Sequence, residues 1–134
     1  MEVAKLNEVI VRQYILAGST DTDSQMLESL SEHKCDKIRL RVAENPKTPI
    51  HVLRKLSKDK NRDVRIAIAA NPAVEHSVLM NLAEDEDVGV RHGMAQDINT
   101  PIAVLQKLAS DENGWVRGEA YKTLEILTNF DLAS

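Results

Sequence analysis

An arginine recurs every 26 residues through this chain: Arg39, Arg65, Arg91 and Arg117, preceded by Ile38, Val64, Val90 and Val116 respectively. The same interval relates Ala43, Ala69 and Ala95; Leu53, Leu79 and Leu105; Leu56, Leu82 and Leu108; and Asp59, Asp85 and Asp111, with no insertion needed to align them. One interval earlier, Ala17, Leu27 and Leu30 fall on the alanine and leucine columns and mark a weaker copy. A fixed period of this size, without heptads or collagen triplets, is the signature of a stacked-repeat protein.

Each period predicts two short helices. In the first, Val64, Ile68 and Ala69 lie at one-turn spacing and form an apolar stripe with Arg65 beside it. Asn61, Asp87 and Asn113 stand just ahead of their copies, where a short polar side chain accepts from the free amides of a first turn. Asn45-Pro46 and Asn71-Pro72 end the segment, because proline disfavours the helical conformation in the residue before it. Thr48-Pro49 and Thr100-Pro101 open the second helix as a capping hydroxyl followed by proline at the first helical position. Val52, Leu53 and Leu56, or Val104, Leu105 and Leu108, form its buried face. No segment alternates with period two over a useful length, so no sheet is expected. Helices this short are marginal alone and depend on stacking unit on unit.

The pattern V-R-x-x-[VIM]-A-x-N-P followed by T-P-x-x-V-L-x-x-L-[AS]-x-D resembles the leucine-rich repeat variant family, related to HEAT and armadillo helical repeats, over roughly residues 12 to 127. The resemblance implies an all-α fold, a right-handed α-solenoid of two-helix repeats. Some members of that family are associated with a cysteine-held iron–sulfur cluster; the single Cys35 carries no such feature over, and no cofactor is expected.

The expected organisation is one solenoid domain over residues 1–134. Residues 1–17 form a capping helix overlapping a degenerate repeat, 12–37. Repeats 38–63, 64–89 and 90–115 follow, and 116–134 close the array. In the first helix Val3, Leu6, Ile10, Tyr14 and Ala17 make the inward stripe, with Glu2, Lys5, Asn7 and Glu8 outside, as a terminal unit requires for solubility. The tail runs through Tyr121, Leu124, Leu127 and Phe130 as one longer helix, with Asp131 to Ser134 frayed. An aromatic content of 3% suits small interlocking layers better than a ligand cavity. Lone Cys35 gives no disulfide framework. Charges interrupt the first sixteen residues, so they make neither a signal peptide nor a membrane span, and a cytoplasmic location is the default expectation.

Charge is segregated along the chain, whose net formal charge is −4. Residues 38–63 hold eight Lys and Arg against three Asp and Glu; residues 64–89 hold one against five. This polarity either steers an acidic partner or is simply a solvated surface with charges paired between units. The arginine column admits two readings: a phosphate-binding groove, which the planar guanidinium suits, or a structural ladder of Asp59, Asp85 and Asp111 with Arg65, Arg91 and Arg117, six residues further on. The ladder is preferred. Asp21 and Asp23 lack a third acidic ligand and calcium-loop spacing, so they read as helix caps rather than a metal loop. His92 and Asp97 could pair as acid and base, but no nucleophile or pocket accompanies them. His92 is read as a surface histidine and Asp97-Ile98-Asn99 as a repaired turn. Trp115 is placed at a seam between units, or alternatively exposed as a binding anchor.

No glycine-rich phosphate loop, nucleophile elbow, Cys-x-x-Cys or HExxH is present, so a non-enzymatic role is expected, without catalytic or metal residues. The expectation is a scaffold or adaptor that binds a protein or peptide along one face. The variable second-helix columns supply it: His51, Ser77 and Ala103; Arg54, Met80 and Gln106; Lys55, Asn81 and Lys107. One alternative is nucleic-acid backbone binding through the basic repeat 38–63, opposed by the net negative charge and few aromatics. Another, implied by resemblance to HEAT-like lyase proteins, is an accessory role in enzyme or cofactor maturation.

Overall fold

The structure, a computed structural model, describes residues 2–129, with side chains described from residue 5 onward except that of residue 6. Among these residues there are nine helices and no strand. The chain divides into two compact units, Met1–Val74 and Glu75–Ser134.

The first unit holds α1 (Glu2–Gly18), α2 (Ser24–Leu30), α3 (Asp36–Glu44), α4 (Ile50–Leu56) and α5 (Arg62–Ala70). Helix α3 packs between α1 and α5, while α2 lies against α1 and α3, and α4 against α3 and α5. Leu27, Ile38, Val42, Leu53, Leu56, Val64 and Ile68 are sealed from solvent. Burying one such side chain is worth about 1.5–3 kcal/mol. That shared core, rather than helix propensity, sustains elements as short as the seven residues of α2 and α4.

The second unit holds α6 (His76–Leu82), α7 (Val88–Ala95), α8 (Ile102–Leu108) and α9 (Gly114–Asn129). Helix α9 is its hub, packing on both α7 and α8. Its core is Val90, Met94, Val104, Leu105, Leu108, Val116 and Ala120.

Short polar side chains start the helices as their positions require. Asp23 accepts from the Met26 amide at 2.8 Å and caps α2. Asn61 accepts from Asp63 N–H at 2.8 Å, Asp87 from Gly89 N–H at 2.7 Å and Asn113 from Trp115 N–H at 2.9 Å. Asn45 and Asn71 terminate α3 and α5 in extended conformation, as the following prolines demand. Both are buried and do more than stop a helix. The Asn45 Nδ2 donates to the carbonyls of Ala17 and Ser19, each at 2.9 Å, and its Oδ1 accepts from Lys47 N–H. Asn71 repeats this with the carbonyls of Ala43 and Asn45. In the second unit Thr123 donates to Ala95 O at 2.6 Å, across the same 28-residue separation.

Three sequence expectations are corrected. Thr48 and Thr100 do not cap the second helices: Pro49 and Pro101 are the N-caps, and the hydroxyls donate backwards to Val42 O and Met94 O at 2.7 and 2.8 Å. A carbonyl left unpaired at the end of the first helix is the nearer and needier partner. In α1, Ala17 is buried and Ile10 half-buried, but Tyr14 is exposed, because Arg41 rather than an apolar layer covers its ring. The outer surface of α1 is also not the polar cap expected: beside Lys5, Asn7 and Glu8 it exposes Val9, Val11, Ile15 and Leu16. Val3 and Leu6 fall outside the described side chains. In α9 the inward residues are Val116, Ala120 and Thr123, with Leu124 and Leu127 half-buried and Tyr121 turned outward. Phe130 and residues 131–134 lie outside the described residues.

Candidate binding surfaces

The arginine column is anchored from two directions. Arg39 is buried, and its guanidinium meets the Asp59 carboxylate through Nε at 2.8 Å and Nη2 at 3.2 Å. Its Nη1 donates to His33 O at 2.8 Å. Arg91 repeats the arrangement on Asp111, with Nε at 2.8 Å and Nη1 on Asp85 O at 2.6 Å. Each of these carboxylates therefore faces the arginine 20 residues before it. The arginine six residues after it takes the backbone carbonyl: Arg65 donates to Asp59 O at 2.8 Å and Arg117 to Asp111 O at 2.7 Å. Arg39, which the six-residue spacing did not single out, is the most deeply held member. The signal that could have found it was the column itself, read forwards as well as backwards.

Burial opposes ionisation of Asp59. The Arg39 hydrogen bond, the Asn61 amide, and the charges of Arg39 and Lys60 together outweigh it and hold the carboxyl below its usual range. The same hydrogen bond from Asp59, opposed by burial, raises Arg39 further. These guanidiniums are spent on their own turns rather than displayed towards a phosphate.

On the second helices of the first unit, His51, Arg54 and Lys55 are exposed on α4. Lys55 Nζ donates to Glu32 at 2.7 Å, and His51 Nε2 lies 3.5 Å from Glu28 of α2. In the second unit Ser77 and Asn81 are exposed and Met80 half-buried on α6, while Ala103 and Gln106 are exposed on α8. Lys107 pairs with Glu84 at 2.8 Å. The hydrogen bond from Lys55, and its charge, lower the Glu32 carboxyl; Lys107 does the same to Glu84. Three of the nine candidate side chains are thus engaged within the chain.

The first helices of the first unit present a different surface. Between α3 and α5 runs an open groove of about 450 Å³, lined by Leu40, Ile66, Ala67 and Ala70, with Glu44, Asp63 and Asn71 around it. The corresponding place between α1 and α3 is filled. Arg41 stands 26 residues before Ala67, and its guanidinium lies over the Tyr14 ring at 4.9 Å and against Gly18. In the second unit, Trp115 stands 52 residues after Asp63 and stacks on His92 of α7, with ring centroids 3.4 Å apart. Trp115 is 58% exposed, with its inner face against that imidazole, so neither a sealed seam nor a free indole describes it fully. Arg41 Nε and His92 Nε2 are sealed from solvent without a hydrogen-bond partner. Asp97 accepts from Asn99 N–H at 2.8 Å and rebuilds the turn that Asn-Pro makes elsewhere.

His33 ties α1 to the turn before α3. Its Nδ1 accepts from Cys35 N–H at 2.9 Å, which leaves Nε2 to donate to Gln13 at 3.0 Å. Among the described residues no group of three or more His, Cys, Asp or Glu is placed to hold a metal ion, and no helix is long and apolar enough to cross a membrane. The architecture is all-helical, with neighbouring helices packed into layers. No family model, curated protein or solved structure matches the chain.

Proposed function

We propose that this chain is a non-enzymatic binding module that holds a segment of another protein on its first helices, the α3–α5 groove taking an aliphatic side chain of that segment. The observation that carries the reading is the apolar floor of Leu40, Ile66, Ala67 and Ala70, left open at a register position that Arg41 and Trp115 occupy in other layers. A Leu or Ile side chain placed there gains about 1.5–3 kcal/mol from burial. Glu44 and Asp63 beside the floor favour a partner with Lys or Arg next to its apolar anchor.

The scaffold on this reading is a stack of 26-residue, two-helix repeats of the right-handed α-solenoid kind within each unit. Its support is the return of the same bonds at fixed separations: threonine to the carbonyl six residues back, asparagine or threonine to the carbonyl 28 back, and arginine to the carboxylate 20 ahead. Helical repeats present such faces to partners. The second-helix face is the weaker choice because His51, Lys55 and Lys107 already hold acidic neighbours. Nucleic-acid binding through residues 38–63 is weakened in the same way, since Arg39, Arg41 and Lys55 are committed to Asp59, Tyr14 and Glu32.

A phage-displayed library of random peptides, selected on the immobilised chain, tests the proposal. The selected peptides should share an aliphatic residue flanked by Lys or Arg, and should lose binding to Ala67→Trp, which fills the groove, while helical circular dichroism persists. Peptides that bind Ala67→Trp unchanged but are lost by Arg54→Glu or Met80→Glu would move recognition to the second helices and overturn the assignment.

A further inference from the structure

Both terminal helices expose apolar side chains at register positions that are packed inside the repeats. In α5, Ile68 is fully buried, and 52 residues before it stands the exposed Leu16; beside it, Ile15 is 61% exposed where Ala67 is only partly so. Val11 lies one turn before Ile15 and is exposed with it. In α9, Tyr121 stands on the column of the fully buried Ala43 and Ala95, and is 62% exposed. On the same open half of α9, Ile126 lies exposed in a shallow crevice with Lys122, Glu125 and Asn129. A terminal unit that ends an array needs a polar outer face. These two carry the apolar residues of an interior layer instead.

The occupant that fits both faces is a second copy of this chain. Residues 1–74 carry 13 Lys and Arg against 10 Asp and Glu, whereas residues 75–134 carry 4 against 11. Like units repel and unlike units attract, so charge favours the first unit of one copy against the second unit of another and disfavours either unit against itself. We infer that α1 of one copy packs on α9 of another through Val11 and Ile15 against Tyr121 and Ile126. Such a contact uses two different patches and leaves one of each unsatisfied at the ends, so it propagates rather than closing on a symmetric dimer. It shares no residue with the α3–α5 groove and stands or falls independently of the proposed partner binding.

Sedimentation velocity of the full chain over a concentration series tests it. The mass should rise with concentration and pass that of a dimer. Two variants sharpen the result, one carrying Val11→Glu with Ile15→Glu and the other Tyr121→Glu with Ile126→Glu. All four positions are exposed, so helical circular dichroism should persist. Each variant alone should stay monomeric, and an equimolar mixture should form a one-to-one complex that grows no further, because each supplies the face the other lacks. A wild-type chain that remains monomeric throughout overturns the inference, as does association that survives in either variant alone or a mixture that forms no complex.

Discussion

The cost of losing a buried partner is highest where a charge is left behind. With both side chains of the Arg39–Asp59 pair only 8% exposed, Arg39→Ala strands a carboxylate that burial already disfavours. It should destabilise the first unit by about 3–5 kcal/mol. Arg117→Ala, at an exposed position where backbone carbonyls are the observed acceptors, should cost far less. Urea denaturation of the two variants checks the contrast. Asp59 also has a folded-state pKa below its unfolded value, so its contribution is present at pH above the usual carboxylate range and is lost as pH falls through the lowered value. Asp59→Asn should therefore flatten the acid limb of stability against pH, while Arg39, raised from an already high value, adds no slope in the working range. A limb of unchanged steepness in Asp59→Asn would assign the acid sensitivity elsewhere. Asn71 is the neutral counterpart. Asn71→Leu should cost on the order of 1–3 kcal/mol for each buried group it orphans, the carbonyls of Ala43 and Asn45 and the Ala73 amide. Asn71→Asp should be no milder, because a carboxylate can accept from Ala73 N–H but cannot donate to either carbonyl; thermal unfolding of both variants decides. Such roles were only half legible in the sequence. Periodicity marks Arg39, Asp59 and Asn71 as repeated, but the side chain of an aspartate and the carbonyl of the same residue give one spacing two meanings.

At the scale of the element, the helices follow from local chemistry that the sequence displays openly. Apolar columns give the buried stripes, and Asn61, Asp87 and Asn113 start their helices as a first turn of free amides requires. Thr48 and Thr100 escape that logic because the hydroxyl faces two hungry ends at once, the amides ahead and the carbonyls behind, and spacing alone does not choose between them. The α3–α5 groove was not legible at all. An opening there depends on Ala67 and Ala70 being small while Arg41, at the equivalent place one layer earlier, is long enough to fold over Tyr14. Helix α9 carries a cost the sequence does declare. Gly118 sits in its interior, without left-handed backbone and with no heavy atom within 4 Å of the place an alanine methyl would take. Gly118→Ala should therefore stabilise the second unit by about 0.5–1 kcal/mol through backbone entropy alone. A higher midpoint in urea with an unchanged slope is the expected sign.

For the whole molecule, charge distinguishes the two units more sharply than fold does. The repeat columns run on past Val74 without a break, so periodicity marked no boundary there; it reports which residues are inward, not how densely neighbouring layers are joined. The charge bias was legible, and it has an energetic consequence. Residues 75–134 carry 4 cations against 11 anions, and two of those cations, Arg91 and Lys107, are already paired with Asp111 and Glu84. Glu84, Asp85, Glu86, Asp111 and Glu112 crowd one crevice of that unit. Self-repulsion on this scale destabilises a compact state. Added salt screens exposed charges while leaving a buried pair such as Arg91–Asp111 nearly intact, so repulsion should weaken more than the attraction that opposes it. Raising ionic strength from low values should then slow native-state amide exchange in α6–α9 and change it little in α1–α5, where cations and anions nearly balance. Exchange that slows equally in both sets of helices would instead trace the salt effect to general exclusion from the protein surface, and would remove charge as the property that sets the second unit apart.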